Sequence, residues 1–467
     1  MLPINYLASL LMALLFYREV AAFCATQPSS SSSARPVITL LRVASEEKET
    51  TVTDRLNPLL SSIAPSATVM IFGRVKELQA QGVAVTSLCV GEPDFLPPPA
   101  VLQAVHDAVN AGDTKYTAVT GTAALRQAIA DDLQRRKNVT YHPATDICVA
   151  NGAKQAVYQG MLATVGVGDA VLIPAPYWPS YPEMARLCGA EPVIVSTTAA
   201  DGYLLTPDAL RNALQQNDRI QLLILCNPSN PTGAVYNQTQ LEALAAVLAD
   251  FSHVTILADE IYERLSYQGP VPAVASVASL YDRTLTVNGF SKAYAMTGLR
   301  LGYLAAPAPL ATAVATLQSQ ISSCAGSLSQ AAGVAALTAV ADDELDANVA
   351  VMQAKRDYVW QALSDMPGVQ LPAAPPAGAF YILADVAAYC QSSSSSSSSS
   401  NNGFADDVAL CQALLETQRL AVVPGTAFGA PGTLRLSYAT SRDALETAMA
   451  KLGRFLAEQR ATRQLNL

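Results

Sequence analysis

Leu285-Thr286-Val287-Asn288-Gly289-Phe290-Ser291-Lys292, continuing Ala293-Tyr294-Ala295-Met296-Thr297-Gly298-Leu299-Arg300-Leu301-Gly302-Tyr303, is the most informative stretch of this 467-residue chain. A β-rich run ends in a small polar turn, and one lysine stands in apolar surroundings. Lysine is among the residues least often fully buried, so an internal one needs a partner or a covalent role. Desolvation lowers its pKa and yields the neutral amine that attacks carbonyls. Arg300 follows on the same loop, and its forked permanent charge suits a phosphate ester.

Working outward, Thr255–Ala258 is an apolar strand that ends in Asp259, with Tyr262 three residues on. An acid at a strand's C-terminal end points into the crevice where α/β folds bind ligands. Leu222–Cys226 is another strand, closed by the polar turn Asn227-Pro228-Ser229-Asn230-Pro231-Thr232-Gly233. Val149-Ala150-Asn151-Gly152-Ala153-Lys154 reads as strand, glycine turn and helix start, whose free N–H groups can hold phosphate. Ala175-Pro176-Tyr177-Trp178 places one of two tryptophans at a strand end, where its ring can stack on a flat ligand. With Ala170–Pro174 and Thr284–Val287, these short runs alternate with helical stretches, which predicts a mostly parallel α/β sheet covered on both faces.

Composition narrows the function. The chain is 51% hydrophobic and 14% charged, so it is a folded protein and not a disordered one. Its formal charge of −9 makes it a poor partner for nucleic acid. Eight cysteines are scattered without a CxxC pair, and three histidines stand apart, so no metal site is expected.

The ends and one internal segment differ from the rest. Leu7–Phe16 is a predominantly apolar stretch too short to span a bilayer, followed by Val20-Ala21-Ala22-Phe23 with small residues before a cleavage point. Thr26–Ser45 is serine-rich, carries Arg35 and Arg42 and has no acid, which is transit-peptide composition. Residues 1–45 therefore read as a signal-like then transit-like presequence that directs the chain to a plastid and leaves no membrane segment in the mature form. A secretory or mitochondrial route is the alternative. Ser392–Ser400, within 392–402, reads as a solvated insert. The sequons at Asn138 and Asn237 read as surface polar residues.

Together the motifs resemble the class-I aminotransferases, which are pyridoxal-phosphate enzymes of fold type I. The stretches that carry the resemblance are GEPDF at 91–95, NGAKQ at 151–155, APYWPSYPE at 175–183, NPSNPTGAVY at 227–236, DEIYE at 259–263, TVNGFSKAYAMTG at 286–298 and RLSYATS at 435–441. Within the family the chain is most similar to the plastid prokaryotic-type aspartate and prephenate aminotransferases. The resemblance implies a seven-stranded, mostly parallel sheet in a large domain (97–345), with a smaller α/β domain from 55–96 and 346–460. It implies pyridoxal 5′-phosphate as cofactor and a homodimer with shared active sites.

Carried over by motif, Lys292 resembles the Schiff-base lysine that also shuttles the proton. Asp259 looks like the partner of the pyridine nitrogen, and Tyr262 and Asn230 look like donors to the ring's phenolic oxygen. Gly152, Ala153, Ser291 and Arg300 match the phosphate cup, to which Lys154 can add its charge, and Tyr116 resembles the tyrosine that reaches the partner's phosphate. Gly91 and Trp178 line the substrate and ring faces, and Arg435 matches the arginine that grips the α-carboxylate. Lys154 and Thr68 resemble the pair that accompanies dicarboxylate and prephenate use. The implied reaction exchanges amino groups between aspartate or glutamate and 2-oxo acids, with prephenate as a further acceptor. Another class-I aminotransferase of different substrate range, a lyase on the same fold, or a cofactor-bound regulator are the competing readings. The chain departs from the family at Leu299, where relatives usually carry tryptophan.

Overall fold

Parallel strands buried on both faces need side chains that are apolar in both directions, and the central runs of this chain supply them. In Leu222-Leu223-Ile224-Leu225 successive side chains alternate between two packed layers. Leu222 and Ile224 join a cluster with Val171, Ile173, Leu257 and Leu285, while Leu223 and Leu225 join one with Leu172, Ile256 and Leu244. The computed structural model describes residues 56–391 and 403–465. The presequence at 1–45 and the serine tract at 392–402 lie outside the described residues.

Twelve strands are present among the described residues. The first eight are β1 (Thr86–Ser87), β2 (Ile147–Ala150), β3 (Ala170–Ala175), β4 (Glu191–Ser196), β5 (Ile220–Cys226), β6 (Thr255–Asp259), β7 (Thr284–Gly289) and β8 (Gly302–Ala305). The remaining four are β9 (Tyr381–Asp385), β10 (Leu420–Ala421), β11 (Val423–Pro424) and β12 (Thr433–Ser437). Seven of them form one sheet in the order β2-β8-β7-β6-β5-β3-β4. Its pairings are parallel from β4 through β7, and β8 runs antiparallel to both β2 and β7. This is the mostly parallel seven-stranded α/β sheet expected from the sequence. β8 was not read as a strand there, because its four residues follow a turn-rich stretch without a boundary of their own.

A three-stranded antiparallel sheet, β11-β12-β9, packs its own apolar cluster with Leu88, Met352, Phe380, Leu410 and Leu452. The short β1 pairs in parallel with β10, so the segment before residue 96 is joined to the C-terminal region. Leu299 packs beside the cluster of Leu125, Phe290 and Leu301, so the aliphatic side chain at the family's usual tryptophan position is housed by core contacts.

Close backbone approach fixes the sheet's junction with the helix Ala153–Thr164. A Cβ on Gly302 would collide with the Ala153 amide nitrogen, and Gly152 sits at φ +93°. Both positions need glycine, because L side chains rarely adopt that φ and no room exists for a methyl group. The result brings the helix N-terminus against the sheet at the end of β2.

Candidate active site

The C-terminal ends of β5, β6 and β7 and the N-terminus of helix Ala153–Thr164 surround one cavity of about 370 Å³. Lys292, Asp259, Tyr262, Asn230, Ser291, Arg300, Arg435, Gly91, Trp178, Ala153, Lys154 and Thr68 all line it. Residues distant in sequence are thus gathered at the crevice that open α/β sheets use for ligands.

Lys292 stands in the turn after β7, largely buried at the cavity, and its Nζ donates to the Gly91 carbonyl at 2.5 Å. Burial brings its amine down to about 8; Glu92 opposes that shift and Arg300 reinforces it. An amine with that pKa is partly neutral at physiological pH and can act as nucleophile or base.

Asp259 ends β6 and is 4% exposed. Its Oδ2 accepts from the Tyr181 hydroxyl at 2.6 Å and its Oδ1 from the Ile261 amide at 3.3 Å. Burial pushes the carboxyl above its ordinary value, and those two bonds together with Lys292 pull it back. A buried acid held by neutral donors favours a cationic ligand beside it.

Arg435, on β12, is buried and donates from Nη2 to the Cys89 carbonyl at 2.7 Å and from Nη1 to Asn230 Oδ1 at 3.4 Å. Its Nε has no partner, and its guanidinium lies 4.5 Å from the Tyr381 ring centroid. Phe428 flanks it at 4.8 Å, so the fork is held by aromatic faces with donor capacity to spare. Burial lowers its pKa, and guanidinium remains charged nonetheless.

Arg300 and Gly152 lie together: an added Cβ at Gly152 would come within 2.6 Å of Arg300 Nη2. The guanidinium therefore sits directly over the helix N-terminus. Lys154, one residue into that helix, lies 5.1 Å from the Trp178 ring centroid, and burial followed by the Arg300 charge lowers its pKa. Thr68 is the second residue of the helix Ala67–Ala80, and its hydroxyl exchanges a 2.9 Å hydrogen bond with Ser66. Tyr116 does not enter the cavity; it is 90% exposed.

Three contributors escaped the sequence reading. Tyr181 bonds Asp259, Tyr381 exchanges a 2.8 Å hydroxyl bond with Tyr262, and Glu92 accepts from the Thr297 hydroxyl. Tyr181 lies inside the quoted APYWPSYPE stretch and Glu92 inside GEPDF, so both were visible as motif members without a role. Tyr381 comes from β9, and nothing near it in sequence points at the lysine. Among the described residues no group of histidines, cysteines and acids is arranged to hold a metal ion, and no helix is long and apolar enough to cross a membrane.

The family model "Aminotransferase class I and II" matches residues 83–452. A bifunctional aspartate aminotransferase and glutamate/aspartate-prephenate aminotransferase from Petunia hybrida is 43% identical over 407 residues, covering 86% of this chain and 82% of the relative. An aspartate/prephenate aminotransferase from Cereibacter sphaeroides is 40% identical, covering 86% of this chain and 98% of the relative. The crystal structure of the aspartate aminotransferase from Rhizobium meliloti superposes with a TM-score of 0.79 at 38% identity, covering 86% of this chain and 98% of that one. By sequence, fold and the gathered motifs, the chain belongs to the class I and II aminotransferases.

Proposed function

We propose that this aminotransferase exchanges the amino group of aspartate or glutamate with 2-oxoglutarate or oxaloacetate, and passes it also to prephenate to give arogenate, with pyridoxal 5′-phosphate as cofactor. The observation that carries the proposal is that Arg435 and Lys154, two cations beyond Lys292 and the phosphate-cup Arg300, line the same cavity. A single arginine can grip the α-carboxylate common to all amino acids. A second cation is what a dicarboxylate needs. The Petunia and Cereibacter relatives, named for both aspartate and prephenate, support the same substrates.

The residues fit the cofactor. Asp259 would hold its protonated ring nitrogen, and Asn230 and Tyr262 its phenolic oxygen. The Gly152–Ala153 amides, Ser291 and Arg300 would hold the phosphate, where a Cβ on Gly152 would close the cradle. Trp178 would stack on the ring. When bound, the cofactor supplies an electron-withdrawing ring that acidifies the substrate's Cα–H. Lys292 Nζ would take the proton from the substrate's Cα and hold it for its return, a task suited to an amine brought down to about 8. The Gly91 carbonyl orients that amine.

Tyr116, exposed at 90%, would serve the phosphate of a second subunit. Its loop is pinned from within, since Gln330 Nε2 donates to Thr117 Oγ1 at 2.9 Å and Gln318 Nε2 to the Val119 carbonyl at 2.7 Å. On this reading the active unit is a homodimer, and a fully active monomer in sedimentation would contradict it. We assign 55–96 and 346–460 to one small domain, supported by the β1–β10 pairing. The composition of residues 1–45 supports plastid import; secretion of a reporter fused to them would overturn it.

The test of substrate choice is a panel of donors and acceptors. Loss of a charge-assisted contact costs about 1.5–3 kcal/mol, or roughly 10- to 150-fold. Lys154→Ala should lower kcat/KM by that factor for aspartate and prephenate and spare alanine. Thr68→Val should harm prephenate more than aspartate. Equal losses for charged and uncharged substrates would remove Lys154 from substrate recognition.

A further inference from the structure

The turn 260–265 has two faces. Asp259 and Tyr262 look into the cavity, whereas Glu260 and Glu263 look away from it into a buried cluster of charges. Arg136, near the end of the helix Ala123–Lys137, is the hub of that cluster. It binds Asp132 with Nε at 2.8 Å and Nη2 at 2.7 Å, and Glu263 with Nη1 at 2.8 Å and Nη2 at 2.7 Å. Lys137 Nζ adds a 2.8 Å ion pair to Glu263 and a 2.7 Å bond to the Val271 carbonyl. Arg264 pairs with Asp132 at 3.1 Å and with Asp342 at 2.7 Å.

The cluster touches both segments that carry the chemistry. Glu263 directly follows Tyr262, and backbone bonds from Glu263 to Glu260 and from Leu265 to Tyr262 close the turn between them. The Arg264 guanidinium lies 5.8 Å from the ring centroid of Tyr294, two residues beyond Lys292. Tyr294 in turn donates its amide to the Phe290 carbonyl, closing the turn that presents Lys292. Neither Arg136 nor Arg264 lines the cavity described above.

We propose that Arg136, acting through Glu263 and Arg264, is a positioning residue that fixes Tyr262 and Lys292 relative to each other from behind the cavity. This rests on the functional reading of those two residues. A bidentate guanidinium–carboxylate fork holds its partners within a narrow range of angle and distance, which a hydrophobic filling of equal volume would not do. Irregular turns have no ladder of their own to set such a register. Charge balance fits the same role: Glu260, fully buried, has one carboxylate oxygen bonded to the Val274 amide and the other without a partner. Burial raises its pKa to about 7, against the pull of Lys137 and Arg136. The ion-pair partners of the cations are Asp132, Glu263 and Asp342.

The experiment uses the full-length holoenzyme and three variants. Arg136→Lys keeps the charge and loses the fork. Glu263→Gln keeps the shape and loses the charge. Leu244→Ala, in the apolar layer shared by Leu223 and Ile256, serves as a control for lost stability. Arg136→Lys should lower kcat about tenfold while KM for aspartate stays within about twofold, because Arg435 and Lys154 are untouched. It should also move the pH midpoint of the cofactor's visible absorbance by about half a unit or more. Glu263→Gln in the Arg136→Lys background should add little, since the two act as one unit. The same changes in Leu244→Ala, or an unchanged midpoint and kcat in Arg136→Lys, would overturn the proposal. A wild-type protein that binds no cofactor would overturn the functional reading and this proposal with it.

Discussion

Asp259 and Glu263 are two buried carboxylates four residues apart on one strand and turn, and their surroundings push them in opposite directions. Asp259 is held by a tyrosine hydroxyl and a backbone amide, and burial drives its pKa up. Glu263 is gripped by Arg136 and Lys137 with Arg264 nearby, and these cations hold its pKa far below the ordinary value despite equal burial. The difference separates two uses of a buried acid. One has its charge answered by the protein, while the other has no cation paired to it among the described residues and, on the proposed function, would answer one brought by the cofactor. Adjacent strand-end acids in a sequence cannot be told apart this way, because the distinction lies in partners from the distant helix Ala123–Lys137.

Substitution should dissociate the two. Asp259→Asn should lower turnover by about 10²- to 10³-fold, the scale of a lost electrostatic partner at a reacting centre. It should leave thermal stability equal or slightly higher, since it removes a desolvated charge. Glu263→Gln should show the opposite emphasis, losing about 3–5 kcal/mol of stability because Arg136 and Lys137 are left without their acid. Steady-state kinetics and urea unfolding on both variants check the pair. A severe stability loss in Asp259→Asn would erase the contrast.

Acid sharpens the same comparison with a smaller effect. Glu263 has a folded pKa below its unfolded one, so its stabilisation is complete above about 4.3 and is lost as pH falls below that value. Asp259 has the reverse sign: its folded pKa is raised, so its cost is present at neutral pH and relieved as pH falls. Urea unfolding between about pH 6 and 3 should therefore show a shallower loss in Glu263→Gln than in wild type. Identical slopes would remove Glu263 from the acid response.

The smallest expected change is Tyr181→Phe. It removes the 2.6 Å donor to Asp259 and keeps the ring that meets Trp178 edge-on at 5.3 Å. A hydrogen bond to a charged group is worth about 1.5–3 kcal/mol, so cofactor affinity should weaken by roughly 10- to 150-fold. Equilibrium dialysis of the cofactor measures it. No change would place the hydroxyl outside the site's energetics.

The sheet and most of the cavity were legible in the sequence for physical reasons. Runs such as Leu222–Cys226 are apolar in both directions, which a two-faced parallel strand requires, and the polar residues that end them mark the crevice. Lys292 and Asp259 declared themselves because charged side chains beside buried strands need a reason to be there, whereas Arg435 was marked only by the family resemblance of its motif. What escaped notice was set by tertiary direction. Tyr381 reaches Tyr262 from a different sheet, and Arg136 reaches Glu263 from the distant helix Ala123–Lys137. β8 escaped as well, because an antiparallel four-residue strand after a turn-rich stretch has no periodicity to distinguish it.

The central claim is that Lys292 is the residue to which the cofactor is joined. The most direct measurement is borohydride reduction of the holoenzyme, followed by peptide mapping of the modified lysine. The account predicts a single pyridoxyl-modified peptide containing Lys292, and none after Lys292→Ala. A modified peptide centred on Lys154, or a reducible adduct that persists in Lys292→Ala, would contradict it.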